Sequence, residues 1–297
     1  MKKGFLLLLL LVGISLACNF GKPLPPTPTP TLAPLMADVL QPTDPPPSLT
    51  PTITPTSTPL PTPTPLPGMR IHTGDQAIFN GDWDTAISAF QAALDSSSDP
   101  EIQSAALVGL GRVLYQTGDY PLALDHLRAV VENYPASPHR AEAFFFLGQT
   151  FSALARYSEA ADAFLNYLLL RPGVIDAYIY ERRGDALFNA NDFGGALGDY
   201  QAALKSPRLE VNFTLEIKMA RCYAFLGDYN TALVMYADIY NRSGSAAIKA
   251  EVNLLKGQTL AVMGQPDQAY LAYLDSVFNY PTQYNSYLAL VELVNAG

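Results

Sequence analysis

The feature that most constrains this sequence is a period of 36 or 37 residues that runs from residue 68 onward. Gly81-Asp82-Trp83, Gly118-Asp119-Tyr120, Ala155-Arg156-Tyr157, Asn191-Asp192-Phe193, Gly227-Asp228-Tyr229 and Gly264-Gln265-Pro266 follow one another at spacings of 37, 37, 36, 36 and 37. Each is followed three residues later by an alanine, namely Ala86, Ala123, Ala160, Ala196, Ala232 and Ala269. Four residues beyond each alanine stands Phe90, Leu127, Phe164, Tyr200, Tyr236 or Tyr273, and seven before each turn stands Gly74, Gly111, Gly148, Gly184, Ala220 or Gly257. A period of this length means one supersecondary unit built many times, with neighbours stacked so that each covers the apolar face of the next.

Within a unit the apolar residues keep helical spacing, as in Leu107, Leu110 and Leu114, then Ala123, Leu127 and Val130, and no strand-like alternation is present. The pattern resembles the tetratricopeptide repeat. In that family a small residue on helix A lies where helix B crosses it, the Gly-Asp-aromatic element makes the turn, and the helix B alanine permits close packing. Proline then closes the unit, here Pro135, Pro172 and Pro281, with Pro100 and Pro207 displaced. The resemblance implies an all-α solenoid of about six helix pairs over residues 68–281. Tyr284 to Ala296 is expected to form a seventh helix A. The family's usual period is 34, so the extra residues must lengthen a helix or a loop. The turn aromatics Trp83, Tyr120, Tyr157, Phe193 and Tyr229 are expected in the core together with the helix B set.

The first 67 residues are a different material. Of 25 prolines, 17 lie between Pro23 and Pro67 with 11 threonines, and no aromatic residue occurs from Gly21 to Gly68, so this stretch has nothing with which to build a core. Alternating Pro-Thr favours polyproline II, and residues 18–67 read as a disordered stalk. Ahead of it, Lys2 and Lys3 precede an apolar run from Phe5 to Ala17, too short to span a bilayer and suited to a signal peptide over residues 1–17. The run ends Ser15-Leu16-Ala17-Cys18, which resembles the lipobox of bacterial lipoproteins and implies diacylglycerol on Cys18. Ser15 stands where that motif prefers leucine, and Ser15-Leu16-Ala17 also fits an ordinary small-x-small cleavage site. The expected location is extracytoplasmic, on a membrane of the cell envelope.

Charge and rare residues exclude several function classes. Beyond residue 67 there are 15 basic and 25 acidic side chains, net −10, with no cluster of Lys and Arg to grip a phosphate backbone, so no nucleic-acid partner is expected. Two cysteines, Cys18 and Cys222, are too few for a disulfide-built domain, and Cys222 is expected as a buried thiol. The histidines, His72, His126 and His139, are too scattered for a metal pair or a nucleophile and base. Gly109-Leu110-Gly111 lacks the third glycine and preceding strand of a dinucleotide site. Neither an enzyme nor a cofactor is expected.

Function is therefore sought on the non-consensus positions of helix A, which in this family line the concave face. Candidate groove residues are Arg112, Tyr115, Gln149, Tyr178, Arg182, Asp185, Phe188, Arg221, Phe225 and Gln258. Arginine forks a carboxylate and aromatic rings hold an apolar anchor, which suits capture of a protein or peptide of the envelope. Arg182 and Asp185 are expected to pair with each other. A second reading starts from Asn133-Tyr134-Pro135-Ala136-Ser137-Pro138 and Asn279-Tyr280-Pro281. Those segments, with the stalk in front, also resemble the non-catalytic superhelix of soluble-type lytic transglycosylases, with peptidoglycan as partner. The Glu-Ser pair that serves those enzymes as general acid is not found in this sequence.

Overall fold

The computed structural model describes residues 65–205 and 212–296. The signal segment, Cys18, the Pro/Thr stretch through Thr64 and Pro207 lie outside the described residues. Thirteen helices follow in order among the described residues, and no strand is present there. The first three pairs are α1 (Pro67–Asn80) with α2 (Trp83–Ser96), α3 (Pro100–Thr117) with α4 (Tyr120–Asn133), and α5 (Arg140–Ala153) with α6 (Tyr157–Leu170). The next three are α7 (Asp176–Asn189) with α8 (Phe193–Lys205), α9 (Phe213–Phe225) with α10 (Tyr229–Arg242), and α11 (Ala246–Val262) with α12 (Pro266–Asn279). A last helix, α13 (Tyr284–Ala296), stands alone. This is the expected solenoid of six pairs plus a seventh helix A.

Each turn between the two helices of a pair is made locally. Gly118 takes φ 86°, a left-handed conformation that ends α3 while its N–H and that of Asp119 bond back to Tyr115 and Leu114. Asp82, Asp119 and Asp228 then cap the following helix by accepting the N–H of Thr85, Leu122 and Thr231. The third and fourth turns place Ala155 (φ 56°) and Asn191 (φ 65°) in the same left-handed conformation. Asparagine tolerates it, while alanine is strained by about 1 kcal/mol. In the third repeat the cap is replaced by an ion pair of Arg156 with Glu159. Pro135, Pro172 and Pro281 each stand one residue past a helix C-cap, as the family pattern implies.

The residues in excess of the usual period go to two places. Repeats two and six lengthen helix A, giving α3 18 residues and α11 17 where the others have 13 or 14. The third and fourth repeats instead begin after longer connections at residues 134–139 and 171–175.

The core of a repeat is one contact between the two helices of a pair. A Cβ added at Gly74, Gly148, Gly184 or Gly257 would come within 2.6 Å or less of the ring of Phe90, Phe164, Tyr200 or Tyr273, sixteen residues later, and at Gly111 within 2.5 Å of Leu127. The ring thus lies against bare helix backbone, and the alanines Ala86, Ala123, Ala160, Ala196 and Ala232 are fully buried beside it. Of the two aromatic sets expected in the core, the helix B set is buried. The turn set is not: Trp83 is 37% exposed, and Tyr120, Tyr157, Phe193 and Tyr229 are half-buried. The alanine after each turn already fills the crossing, so the ring at the turn lies along its rim.

One buried charge is poorly provided for. Asp199 on α8 meets Arg183 of α7 at 3.3 Å through one oxygen, while its other oxygen is buried without a partner. Burial pushes its carboxyl up to about 6, against the pull of Arg183, with Asp192 raising it further. Because the folded value is raised, the group favours folding below its ordinary value of 3.8, and that contribution is lost as pH rises through about 6. Asp199→Asn is therefore expected to raise stability at neutral pH by about 1 kcal/mol and to flatten the melting profile between pH 4 and 6. Melting curves of the two proteins across that range check it; a parallel shift at all pH values would refute the assignment.

Candidate functional site

Successive helices A touch one another, α1 with α3, α3 with α5, and α11 with α13, and so form the inner layer of the solenoid. Two recesses open side by side on this layer, sharing Arg221. The first, about 380 Å³, is lined by Gln149, Arg182, Asp185, Phe188, Lys218 and Arg221, with Tyr157 and Tyr200 also contributing. The second, about 300 Å³, is more apolar and is lined by Arg221, Ala224, Phe225, Tyr229, Tyr236, Leu255, Gln258, Thr259 and Val262.

Charges inside the first recess are ordered by contacts between repeats. Asp185 accepts the Tyr200 hydroxyl at 2.9 Å and faces Lys218 of the next repeat at 2.7 Å, and Lys218 also reaches Glu181 at 3.0 Å. Burial and then the Asp185 carboxylate push the Tyr200 hydroxyl far up, so it remains a donor. The expected Arg182–Asp185 pair does not form. The Arg182 guanidinium instead lies over the Tyr178 ring at 5.0 Å, and Asp185 is satisfied by donors that approach from α8 and α9.

Arg221 stacks over Phe188 at 4.8 Å. Neither Arg182 nor Arg221 has a carboxylate within 4.0 Å among the described residues. Arg221 also acts at longer range on Glu251, whose carboxyl burial pushes up while the arginine pulls it down. Two unpaired guanidinium groups thus face one cavity of a protein that is acidic overall.

The rim between the recesses is aromatic. Phe193 stacks on Phe225 at 4.7 Å, and Phe188 meets both edge-on at 5.2 and 5.3 Å. Phe225 nonetheless stays 59% exposed. This is where the turn aromatics displaced from the core are used: Tyr157 borders the first recess and Tyr229 the second.

Seven of the ten candidate groove residues are brought together here: Gln149, Arg182, Asp185, Phe188, Arg221, Phe225 and Gln258. Tyr178 is attached to the same place, since Gln149 donates to its hydroxyl at 3.3 Å. Arg112 and Tyr115 are not. Arg112 is held by Asp75 and Glu142 on both sides, and Tyr115 packs against Tyr120 and Phe146 at 5.9 and 6.2 Å. Burial raises the Tyr115 hydroxyl. Residues that the sequence reading missed are Lys218, Leu255 and Val262. Lys218 stands three residues before the ninth position of its helix, a place that the repeat pattern does not mark as facing inward.

The remaining chemistry is structural. Cys222 is buried, and its thiol is pushed up to about 12 by burial, with Arg221 opposing. His72 is exposed, His139 sits just ahead of α5, and His126 is half-buried with its imidazole pushed down by burial. Among the described residues no group of three or more His, Cys, Asp or Glu is arranged to hold a metal ion, and no helix is long and apolar enough to cross a membrane.

Comparison with known proteins agrees with this architecture. The tetratricopeptide repeat family model matches residues 73–138 and 108–178. No curated protein sequence matches the chain. Among solved structures, YrrB, described as a tetratricopeptide protein with an unusual peptide-binding site, aligns with a TM-score of 0.53 at 20% identity, covering 70% of this chain and 98% of its own. The quorum sensor NprR of B. thuringiensis in its apo form aligns at 0.53 and 19%, covering 77% and 70%. The C-terminal part of a tetratricopeptide protein of Cytophaga hutchinsonii aligns at 0.58 and 16%, covering 75% and 87%. At these identities the likeness is one of fold. The body of the chain is a tetratricopeptide-like α-solenoid, its repeats matched in sequence over residues 73–178 and in fold over about three quarters of the chain.

Proposed function

We infer that this chain is a lipid-anchored scaffold of the bacterial cell envelope that captures a protein or peptide through the inner layer of its solenoid. The observation that carries the binding part is the pair of adjoining recesses that share Arg221, one with two unpaired arginines and the other more apolar. Such a pair suits an extended segment with a carboxylate in the first recess and an apolar side chain a few residues away in the second. That YrrB, a protein of like fold, is described as having a peptide-binding site supports peptide capture by an array of this kind. A photocrosslinker placed at Gln149 and, as a control, at Val234 on the outer helix α10 tests it in envelope extract. A partner trapped equally from both positions would sink the groove reading.

The anchor rests on Ala17-Cys18 and on the Pro/Thr stretch that separates it from the solenoid. Two acyl chains give stable membrane attachment where one does not. Cys18→Ala is accordingly expected to move the protein from the membrane to the soluble or secreted fraction. Fractionation and globomycin sensitivity check this, and unchanged membrane partitioning with globomycin-insensitive processing would refute lipidation.

A further inference from the structure

The two recesses offer hydrogen-bond donors well in excess of acceptors. Arg182 and Arg221 stack by their flat faces, over Tyr178 at 5.0 Å and over Phe188 at 4.8 Å, so their N–H edges are left for a ligand. Among the described residues, Asp185 is the only carboxylate lining the first recess, and Tyr200 and Lys218 already take it. The second recess is lined by none. A strand-like segment brings an N–H with nearly every carbonyl and would bury some of them unmet. A helical segment spends its carbonyls on itself. A proline-rich segment in polyproline II keeps its carbonyls free and carries few N–H groups.

Spacing points the same way. α5 meets α7 through Gln149 and the Tyr178 hydroxyl, α7 meets α9 through Asp185 and Lys218, and α9 packs directly on α11. Helices in contact lie roughly 8–10 Å apart. Polyproline II turns the same face outward every three residues, about 9.3 Å, whereas a strand does so every two, about 6.6 Å. Laid across the helices, a proline-rich segment therefore shows one face to each repeat in turn. Rings to support it are in place. A line of ring contacts at 6.2, 5.1 and 6.2 Å runs from Tyr115 of α3 through Phe146 and Phe145 of α5 to Tyr178 of α7, which is 38% exposed. Phe188 of α7 then meets the exposed Phe225 of α9.

We propose that the segment captured here is a proline-rich stretch of a partner protein, held in polyproline II across α5 to α11. Its carboxylate lies on Arg182 and Arg221, and an apolar side chain one turn away, three residues on, fills the second recess. This rests on the reading of the two recesses as the capture site and adds the class of ligand. Aromatic-lined grooves suit such segments because they are ordered before they bind.

Fluorescence anisotropy of a labelled peptide titrated with the full chain in one mild detergent tests it. The probe has proline at two positions in three, with aspartate and leucine at successive third positions. It is expected to bind in the micromolar range, and at least tenfold more weakly when alanine replaces its prolines or asparagine its aspartate. Arg182→Ala with Arg221→Ala is expected to bring the aspartate and asparagine peptides to equal affinity, whereas Tyr178→Ala weakens both, with circular dichroism unchanged. A probe that does not bind, an alanine peptide that binds as well, or a probe indifferent to the arginine pair would each overturn the proposal. So would equal displacement by a peptide of residues 40–49, where Asp44 stands among four prolines but has no leucine three residues away, because the register would then be wrong. If Gln149 crosslinks a partner while the probe fails, the proline assignment alone falls; if Val234 traps as much as Gln149, the capture site itself falls.

Discussion

Phe164→Ala is expected to cost about 3–5 kcal/mol, the range for emptying a fully buried aromatic site. The ring has no exposure and lies against the bare backbone of Gly148, within the largest core cluster of the array. No neighbour is placed to close the space, because the facing surface is main chain. Approached from the other side, Gly148→Ala costs about 1–3 kcal/mol by overpacking, offset in part by a gain of about 1 kcal/mol in helix propensity. Since repeats bind chiefly to their neighbours, the damage should be local. Hydrogen exchange is expected to lose protection first in α5 and α6, then in α4 and α7, with α12 and α13 nearly unaffected. Uniform loss along the chain would mean that the array unfolds as one cooperative block. Parent-like stability of Phe164→Ala would refute the contact itself.

The second large effect is on capture. Arg182→Ala with Arg221→Ala is expected to weaken binding of the groove partner tenfold or more, because both guanidinium groups are unpaired and face one recess. Arg112→Ala is expected to leave affinity nearly unchanged, since Asp75 and Glu142 already neutralise that side chain. Net charge does not prevent this, as exposed charges act over only about 8 Å at physiological salt. Titration calorimetry against the crosslinked partner, with circular dichroism to show intact helices, decides it. If affinity stays at the parent's value while the helices remain, binding belongs to the outer helices or the loops.

Much of the fold was legible because its determinants are local or lie within one repeat. A glycine that takes positive φ, an aspartate that caps the next helix three residues on, and a glycine facing a ring sixteen residues later all sit in one stretch of chain. Even the departures obey it, since Ala155 and Asn191 keep the left-handed turn without glycine. The site was legible only in part. Choosing helix A positions found most of the recess, but the pairing of its charges depends on how far one repeat is offset from the next. That offset puts Lys218 against Asp185, which no spacing within a single helix encodes, while Arg182 turns to Tyr178, one turn back on its own helix. The turn aromatics misled for a related reason: residue type suggests burial, whereas position at the rim leaves a face free.

The contacts that hold a repeat together and those that shape its inner surface thus have different reach. Glycine and ring meet inside one helix pair, with Phe90 also reaching Gly109 of the next, so a repeat carries most of its own core wherever it is copied. Asp75 with Arg112, Arg112 with Glu142, Asp185 with Lys218 and Gln258 with Glu292 all cross a joint. Duplicating, deleting or exchanging one unit would therefore preserve the scaffold while rewriting the charge pattern at both of its borders. In an array of this kind the inner surface is therefore a property of neighbouring pairs rather than of single repeats.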